Sequence, residues 1–157
     1  MKIRFVQGNE FASKMIIAQE KVAMPFTPSH VEAVMPATGM YVGAHFKGGV
    51  QARPPGYDKD VTTQELILEL EATPAQDLMF YQFLEKHIGE PYDWEAIIGF
   101  VIPEHAHIQN HVICSALIAL ALRACNWFPY RLAAPAHLID PRDLLLMLST
   151  RMQIPGV

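Results

Sequence analysis

The sequence predicts a single α+β domain, in which a small, mostly antiparallel sheet from the first half of the chain packs against helices. The first observation is a set of short extended runs, separated by glycine and proline turns, before residue 72. The second is a change to helical patterns with N-terminal caps from residue 73 onward. The third is the composition: 157 residues, 51% hydrophobic and 18% charged, are enough for one globular core. We therefore treat residues 1–157 as one domain.

Short runs rich in β-branched and aromatic residues predict the strands. Residues 2–7 form a strand that Gly8 ends, and the segments SHVEAVMP and MYVGAHF form a hairpin around residues 37–39. Further extended runs lie at residues 50–53 and 64–71. These runs together predict the sheet.

Cap signals and apolar periodicity predict the helices. Thr73, Pro74 and Gln76 form a capping box with proline in the first turn of a helix that reaches about residue 88. Asn110 is a candidate N-cap for a helix over residues 111–125. The remaining predicted helices are 9–22, 93–100 and a last one after the Asp140 cap, through residue 150.

Charge and hydropathy exclude several classes of partner. The net charge is -4 and the lysines and arginines are scattered, so we expect no nucleic-acid binding. The longest apolar stretch, residues 112–122, is too short to span a bilayer. No secretory signal is seen in residues 1–19, which predicts a cytoplasmic localisation.

Cys114 is the most informative residue for chemistry. It lies near the predicted start of an apolar helix, where the positive end of the helix dipole favours a thiolate nucleophile. The alternative is a buried structural cysteine, because free cysteine is among the most buried residue types. Cys125 lies at the far end of the same helix, about 16 Å away, so we interpret it as a core residue that forms no disulfide with Cys114.

His30 is the candidate base, because the predicted hairpin pairs it with a second histidine. If Met35 faces Met40 across the turn, the numbers of facing residues add up to 75 and His30 lies opposite His45. A nucleophile, a base and a third group that orients the base make a catalytic triad. Glu32, on the same strand face as His30, and Gln51, on the following run, are alternatives to His45 as the third group.

A different set of residues favours metal chemistry. His105, His107 and His111 precede Cys114, and imidazoles with a thiolate are typical zinc ligands. Their spacing matches no structural zinc pattern, and a polar loop before a helix explains the same residues. We therefore predict no metal or other cofactor, and keep a zinc protein built on the His105–Cys114 cluster as an alternative.

The order of four motifs resembles the circularly permuted branch of the NlpC/P60 superfamily of papain-like cysteine hydrolases, which includes YiiX-like and lecithin:retinol-acyltransferase-like proteins. The motifs are SHVEAV, GGVQARPP, GEPYDW and ICSALIALAL. The Pro91-Tyr92 pair precedes Cys114, as in ordinary members, but the histidine strand comes first, which is the permuted order. Cys114-Ser115 is similar to the family's Cys-Ser pattern, although Ala116 replaces the usual acidic residue. Residues 140–144 are similar to the helix start with proline and aspartate near the family's C-terminus. The likeness covers roughly residues 26–148.

The resemblance implies a papain-like fold and a cysteine peptidase or amidase that cleaves an amide or ester bond through a thioester. It places Tyr92 beside Cys114 as a candidate oxyanion donor. His45 corresponds to the second histidine of ordinary triads. If Ala44 is the aligned position instead, the triad is incomplete or is completed by a residue elsewhere. Implied substrates are cell-wall peptides, other small amides or lipid-like acyl compounds, and a bacterial or prophage-encoded origin is expected. A catalytically degenerate binding module is the other alternative.

Overall fold

A computed structural model describes residues 1–9, 25–45, 48–89, 112–129, 132, 135, 136 and 139–149. Within these residues the fold is α+β, an open antiparallel sheet of five strands with three helices, which confirms the predicted class. The sheet order is β4-β3-β2-β1-β5. The strands are β1 (Lys2–Gly8), β2 (His30–Val34), β3 (Tyr41–His45), β4 (Gly49–Arg53) and β5 (Thr62–Glu69). The helices are α1 (Pro74–His87), α2 (Val112–Ala124) and α3 (Pro141–Ser149).

The strand predicted at residues 64–71 begins and ends two residues earlier, as β5. The reason is its partner, since β1 extends to Gly8 and pairs that residue with Thr62. Residues 10–22 and 93–100, where two further helices are predicted, lie outside the described residues.

Two predicted helix caps are confirmed. The Thr73 hydroxyl accepts a hydrogen bond from the backbone N–H of Gln76, and the Gln76 side chain accepts one from the backbone N–H of Thr73. At α3, Asp140 Oδ1 accepts from the backbone N–H of Asp143 at 2.6 Å. Both pairs satisfy N–H groups that a helix start leaves without partners.

The two faces of the sheet differ in polarity. Val31 and Ala33 of β2 are fully buried in the same apolar cluster as most of α2. Because successive side chains of a strand point to opposite faces, His30 and Glu32 lie on the other face of β2. On that second face Glu32 is completely buried, whereas Lys2 and Glu69, nearer the β5 edge, are exposed.

The two cysteines form no disulfide with each other and both are buried, as expected for two positions far apart on one helix. Cys125 lies in the apolar core, which confirms its predicted structural place. In the described part of the chain, no helix has the length and apolar character needed to cross a membrane.

Candidate active site

Cys114 and His30 interact directly. Cys114 lies in the first turn of α2 and is only 3% exposed, whereas His30 is the first residue of β2 and its side chain is 21% exposed. A hydrogen bond and an electrostatic interaction join the imidazole to the sulfur. Burial alone lowers the pKa of His30, but the contacts with Cys114, and then with Glu32, outweigh it and raise the pKa to about 10. A histidine with a raised pKa beside a cysteine is a candidate general base for that sulfur.

The start of α2 is anchored next to the cysteine. The Ser115 hydroxyl, which is completely buried, donates to the backbone carbonyl of Ile139 at 2.6 Å. Ile139 comes directly before the cap of α3, so this bond ties the first turn of α2 to the beginning of the last helix. It restricts where the Cys114 side chain can lie.

The hairpin of β2 and β3 has the predicted register. Ala33 faces Val42 and Val34 faces Tyr41, so the two residue numbers of each facing pair add up to 75. The ring centroids of His30 and His45 are 4.9 Å apart. Ala44 points instead into the apolar core. The predicted proximity of the two histidines is therefore confirmed.

Glu32 lies between the two histidines. Its Oε2 atom is 3.5 Å from His30 Nε2 and 3.8 Å from His45 Nε2, and its side chain is completely buried. Tyr57 donates a hydrogen bond to the same Oε2 atom at 3.1 Å. Burial alone raises the pKa of a carboxyl group, but the nearby imidazole of His30 and the guanidinium of Arg4 outweigh it and lower the Glu32 pKa to about 2. Glu32 is therefore a carboxylate at neutral pH.

Arg4 is the cation that holds this carboxylate. It faces Glu32 in the β1–β2 register, and its Nη1 donates to Glu32 Oε1 at 2.5 Å and to Asp58 Oδ2 at 2.9 Å. Its Nε donates to Glu65 at 2.8 Å, and its guanidinium lies 4.4 Å from the centre of the Tyr41 ring. The sequence interpretation missed this network. The signal in the sequence was a charged residue, Arg4, between the apolar residues Ile3 and Phe5 of a predicted strand.

His45 is a neutral group in this cluster. Burial, the nearby charge of His30 and that of Arg53 lower the pKa of His45 to about 3. The edge of its ring meets Tyr57, with centroids 5.7 Å apart. Gln51, the third option for orienting His30, lies on β4, and its side-chain oxygen accepts from Arg53 Nε at 3.0 Å.

Gly43 makes room for Glu32. A Cβ at position 43 would lie 3.1 Å from the Glu32 Cβ and 3.4 Å from the carbonyl oxygen of Val31. Glu32 has little freedom to retreat, because Arg4 and Tyr57 hold its carboxylate. We therefore expect Gly43→Ala to destabilise the fold by about 1–3 kcal/mol, as overpacking of buried sites does. Urea unfolding measures the free energy of unfolding of the wild type, of this variant and of Ala52→Gly, a substitution at an exposed position on β4. Equal values for Gly43→Ala and the wild type would contradict the expectation.

Other candidate residues lie outside the described part of the chain. These are Tyr92 and the three histidines of the predicted zinc cluster, His105, His107 and His111. Within the described residues, the set that brings metal-ligating atoms together is a different one: His30, Glu32 and His45. Comparisons of this chain with protein-family models, curated proteins and solved structures found no match.

Proposed function

We propose that this protein is a cysteine hydrolase that cleaves an amide or ester bond, with Cys114 as nucleophile and His30 as general base and acid. The observation that carries the proposal is the hydrogen bond between the His30 imidazole and the Cys114 sulfur, at the start of a helix. Cys114 is also placed where the helix dipole favours a thiolate. The partial exposure of His30 gives a substrate access to the pair.

The two nitrogens of His30 have separate roles in this mechanism. Nε2 faces Glu32 and, among the described residues, has no hydrogen bond of its own. We therefore assign the Cys114 hydrogen bond to Nδ1, which holds the proton taken from the thiol. Glu32, a buried carboxylate, stabilises the imidazolium from the other side.

The reaction proceeds through a thioester. The thiolate of Cys114 attacks the substrate carbonyl carbon, and the backbone N–H of Cys114, with the Tyr92 hydroxyl, stabilises the oxyanion. His30 transfers its proton to the leaving amine or alcohol, and the acyl group stays on the sulfur. Water then attacks the thioester, gives its proton to His30 and releases the carboxylic acid, which restores the thiol.

Two groups next to His30 are candidates for the third triad residue. The resemblance favours His45, whose ring lies against that of His30. The geometry favours Glu32, because its carboxylate lies 3.5 Å from Nε2 and carries the charge that an imidazolium needs. In our proposal Glu32 completes the triad, and the neutral His45 ring packs beside His30 and restricts its rotation.

The papain-like, circularly permuted architecture and the substrate class are parts of the same proposal. The confirmed hairpin supports the permuted order, since His30 precedes Cys114 in the chain and both lie at one site. Small peptides, including cell-wall peptides, and lipid-like acyl compounds are the proposed substrates. The cytoplasmic localisation and the bacterial or prophage origin stay predictions. The alternative, a catalytically degenerate binding module, needs no ionisable partner beside His30. Because His30 contacts both Cys114 and Glu32, we favour the enzyme.

Alkylation of Cys114 by iodoacetamide tests the proposed pair. At about pH 6, a thiol with an ordinary pKa is less than about 1% thiolate, so rapid modification requires a base-paired cysteine. We expect rapid modification in the wild type and a rate lower by about 10- to 100-fold in His30→Gln. Mass spectrometry of peptides reports Cys114 and Cys125 separately.

The chain supplies two controls for this measurement. Burial raises the pKa of the Cys125 thiol, so this residue is expected to react slowly in every variant. His87→Gln removes a histidine of α1 whose ring contacts the Phe83 carbonyl, and it should leave the Cys114 rate unchanged. Slow modification of Cys114 that does not depend on His30 would refute the hydrolase and favour the binding module.

A further inference from the structure

Three side chains of the polar cluster converge on one point. His30, Glu32 and His45 each present one ligand atom, and all of these atoms lie within 4.8 Å of one another. The Glu32 Oε2 atom is the centre of the group, with the Nε2 atoms of His30 and His45 at 3.5 Å and 3.8 Å. The His45 side chain is only 9% exposed, so the group is largely shielded from water.

Both Nε2 atoms are buried and, within the described part of the chain, neither has a hydrogen-bond partner. Buried polar atoms in folded proteins are nearly always paired, so two unpaired imidazole nitrogens beside the same carboxylate oxygen require an explanation. A cation between them supplies one, because each nitrogen offers a lone pair and the carboxylate offers negative charge.

The donor set and the spacing fit zinc. Two imidazole nitrogens and one carboxylate oxygen are the protein ligands of many zinc sites. Bonds of about 2.0–2.1 Å in a tetrahedral site place ligand atoms about 3.3 Å apart. The two distances to Glu32 Oε2 are already within about half an ångström of that spacing, so small side-chain rotations bring the atoms to it.

The surroundings of Glu32 also suit a ligand. Arg4 binds Oε1, and Tyr57 donates to Oε2, so the carboxylate is held in a fixed orientation. Groups that hold ligating carboxylates in this way raise the affinity of metal sites. This set shares no histidine with the zinc cluster that the sequence predicted at residues 105–114.

We propose that His30, Glu32 and His45 bind a Zn²⁺ ion. Zinc takes the Nε2 lone pair of His30, so an imidazolium loses its Nε2 proton to the solvent as zinc binds. Nδ1 of His30, which the proposed mechanism assigns to Cys114, is not one of the ligands.

Equilibrium dialysis with Zn²⁺ tests the site without any assay of activity. Protein without an affinity tag, treated with a chelator, is expected to bind about one zinc ion per chain. His45→Gln and His30→Gln should each weaken this binding by at least about tenfold, whereas His87→Gln should bind as the wild type does. Thermal unfolding of the metal-free variants shows that they are folded, and zinc should raise the melting temperature of the wild type and His87→Gln only.

Two results of the dialysis would overturn the inference. One is the absence of stoichiometric binding by the wild type at micromolar free zinc. The other is binding that survives in His45→Gln and is lost in His105→Gln, which would place the metal in the other cluster.

Alkylation and dialysis together distinguish failure of the hydrolase from failure of the zinc site. If the rate of Cys114 alkylation in metal-free protein does not depend on His30, the hydrolase alone is refuted. If that rate depends on His30 but no zinc binds, the zinc site alone is refuted.

Discussion

Replacing Cys114 by alanine is expected to lower kcat towards an activated ester such as p-nitrophenyl acetate by at least about 10³-fold. The reason is that the proposed mechanism forms and hydrolyses a thioester on this sulfur, and alanine offers no atom that can form it. The buried site loses a single sulfur atom, so we expect the variant to keep a cooperative urea transition close to that of the wild type. Release of p-nitrophenol under steady-state conditions measures the change.

Cys125→Ala is the matched control, because it makes the same substitution in the other buried cysteine of the same helix. Cys125 Sγ donates to the carbonyl of Leu122 and lies in the core, remote from His30 in the proposed mechanism. This variant should therefore retain turnover. Brief incubation of the wild type with the ester should also leave an acetyl group on the peptide that contains Cys114. Turnover by Cys114→Ala equal to that of the wild type would eliminate Cys114 as the nucleophile.

Replacing Arg4 by methionine is expected to destabilise the protein by about 3–5 kcal/mol, a large part of the stability of an ordinary domain. Arg4 is 2% exposed, and its removal leaves Glu32 and Asp58 as buried carboxylates without their cation. Methionine keeps much of the side-chain volume, so the main change is the loss of charge. Urea unfolding followed by circular dichroism gives the free energy of unfolding.

Two further variants show whether the effect is electrostatic. Lys2→Met removes a cation from the same face of β1, but its pair with Glu69 is exposed, so a change within about 0.5 kcal/mol is expected. Adding Glu32→Gln to Arg4→Met removes one of the uncompensated charges and should restore part of the lost stability. If Arg4→Met is as stable as Lys2→Met, the buried network contributes little to the fold.

Local sequence signals were sufficient to predict two helix caps and the hairpin, and to predict that His45 lies beside His30. The capping box at Thr73 and the cap at Asp140 were predictable, because a cap depends on residues within one helical turn. The hairpin register was predictable as well, since a short turn fixes which residues face each other, and this placed His45 beside His30. The position of Cys114 near the start of a helix followed from apolar periodicity.

Local patterns therefore identified the candidate groups: a cysteine at a helix start, and two histidines facing each other across a hairpin. The packed fold alone shows that the helix start meets the first residue of β2, and that Glu32 is buried between the histidines with Arg4 as its counterion. The physical reason is that strand alternation assigns a side chain to a face but does not say what covers that face. Burial, ion pairing and the pKa values that follow from them depend on contacts between residues far apart in the chain, which no local pattern encodes.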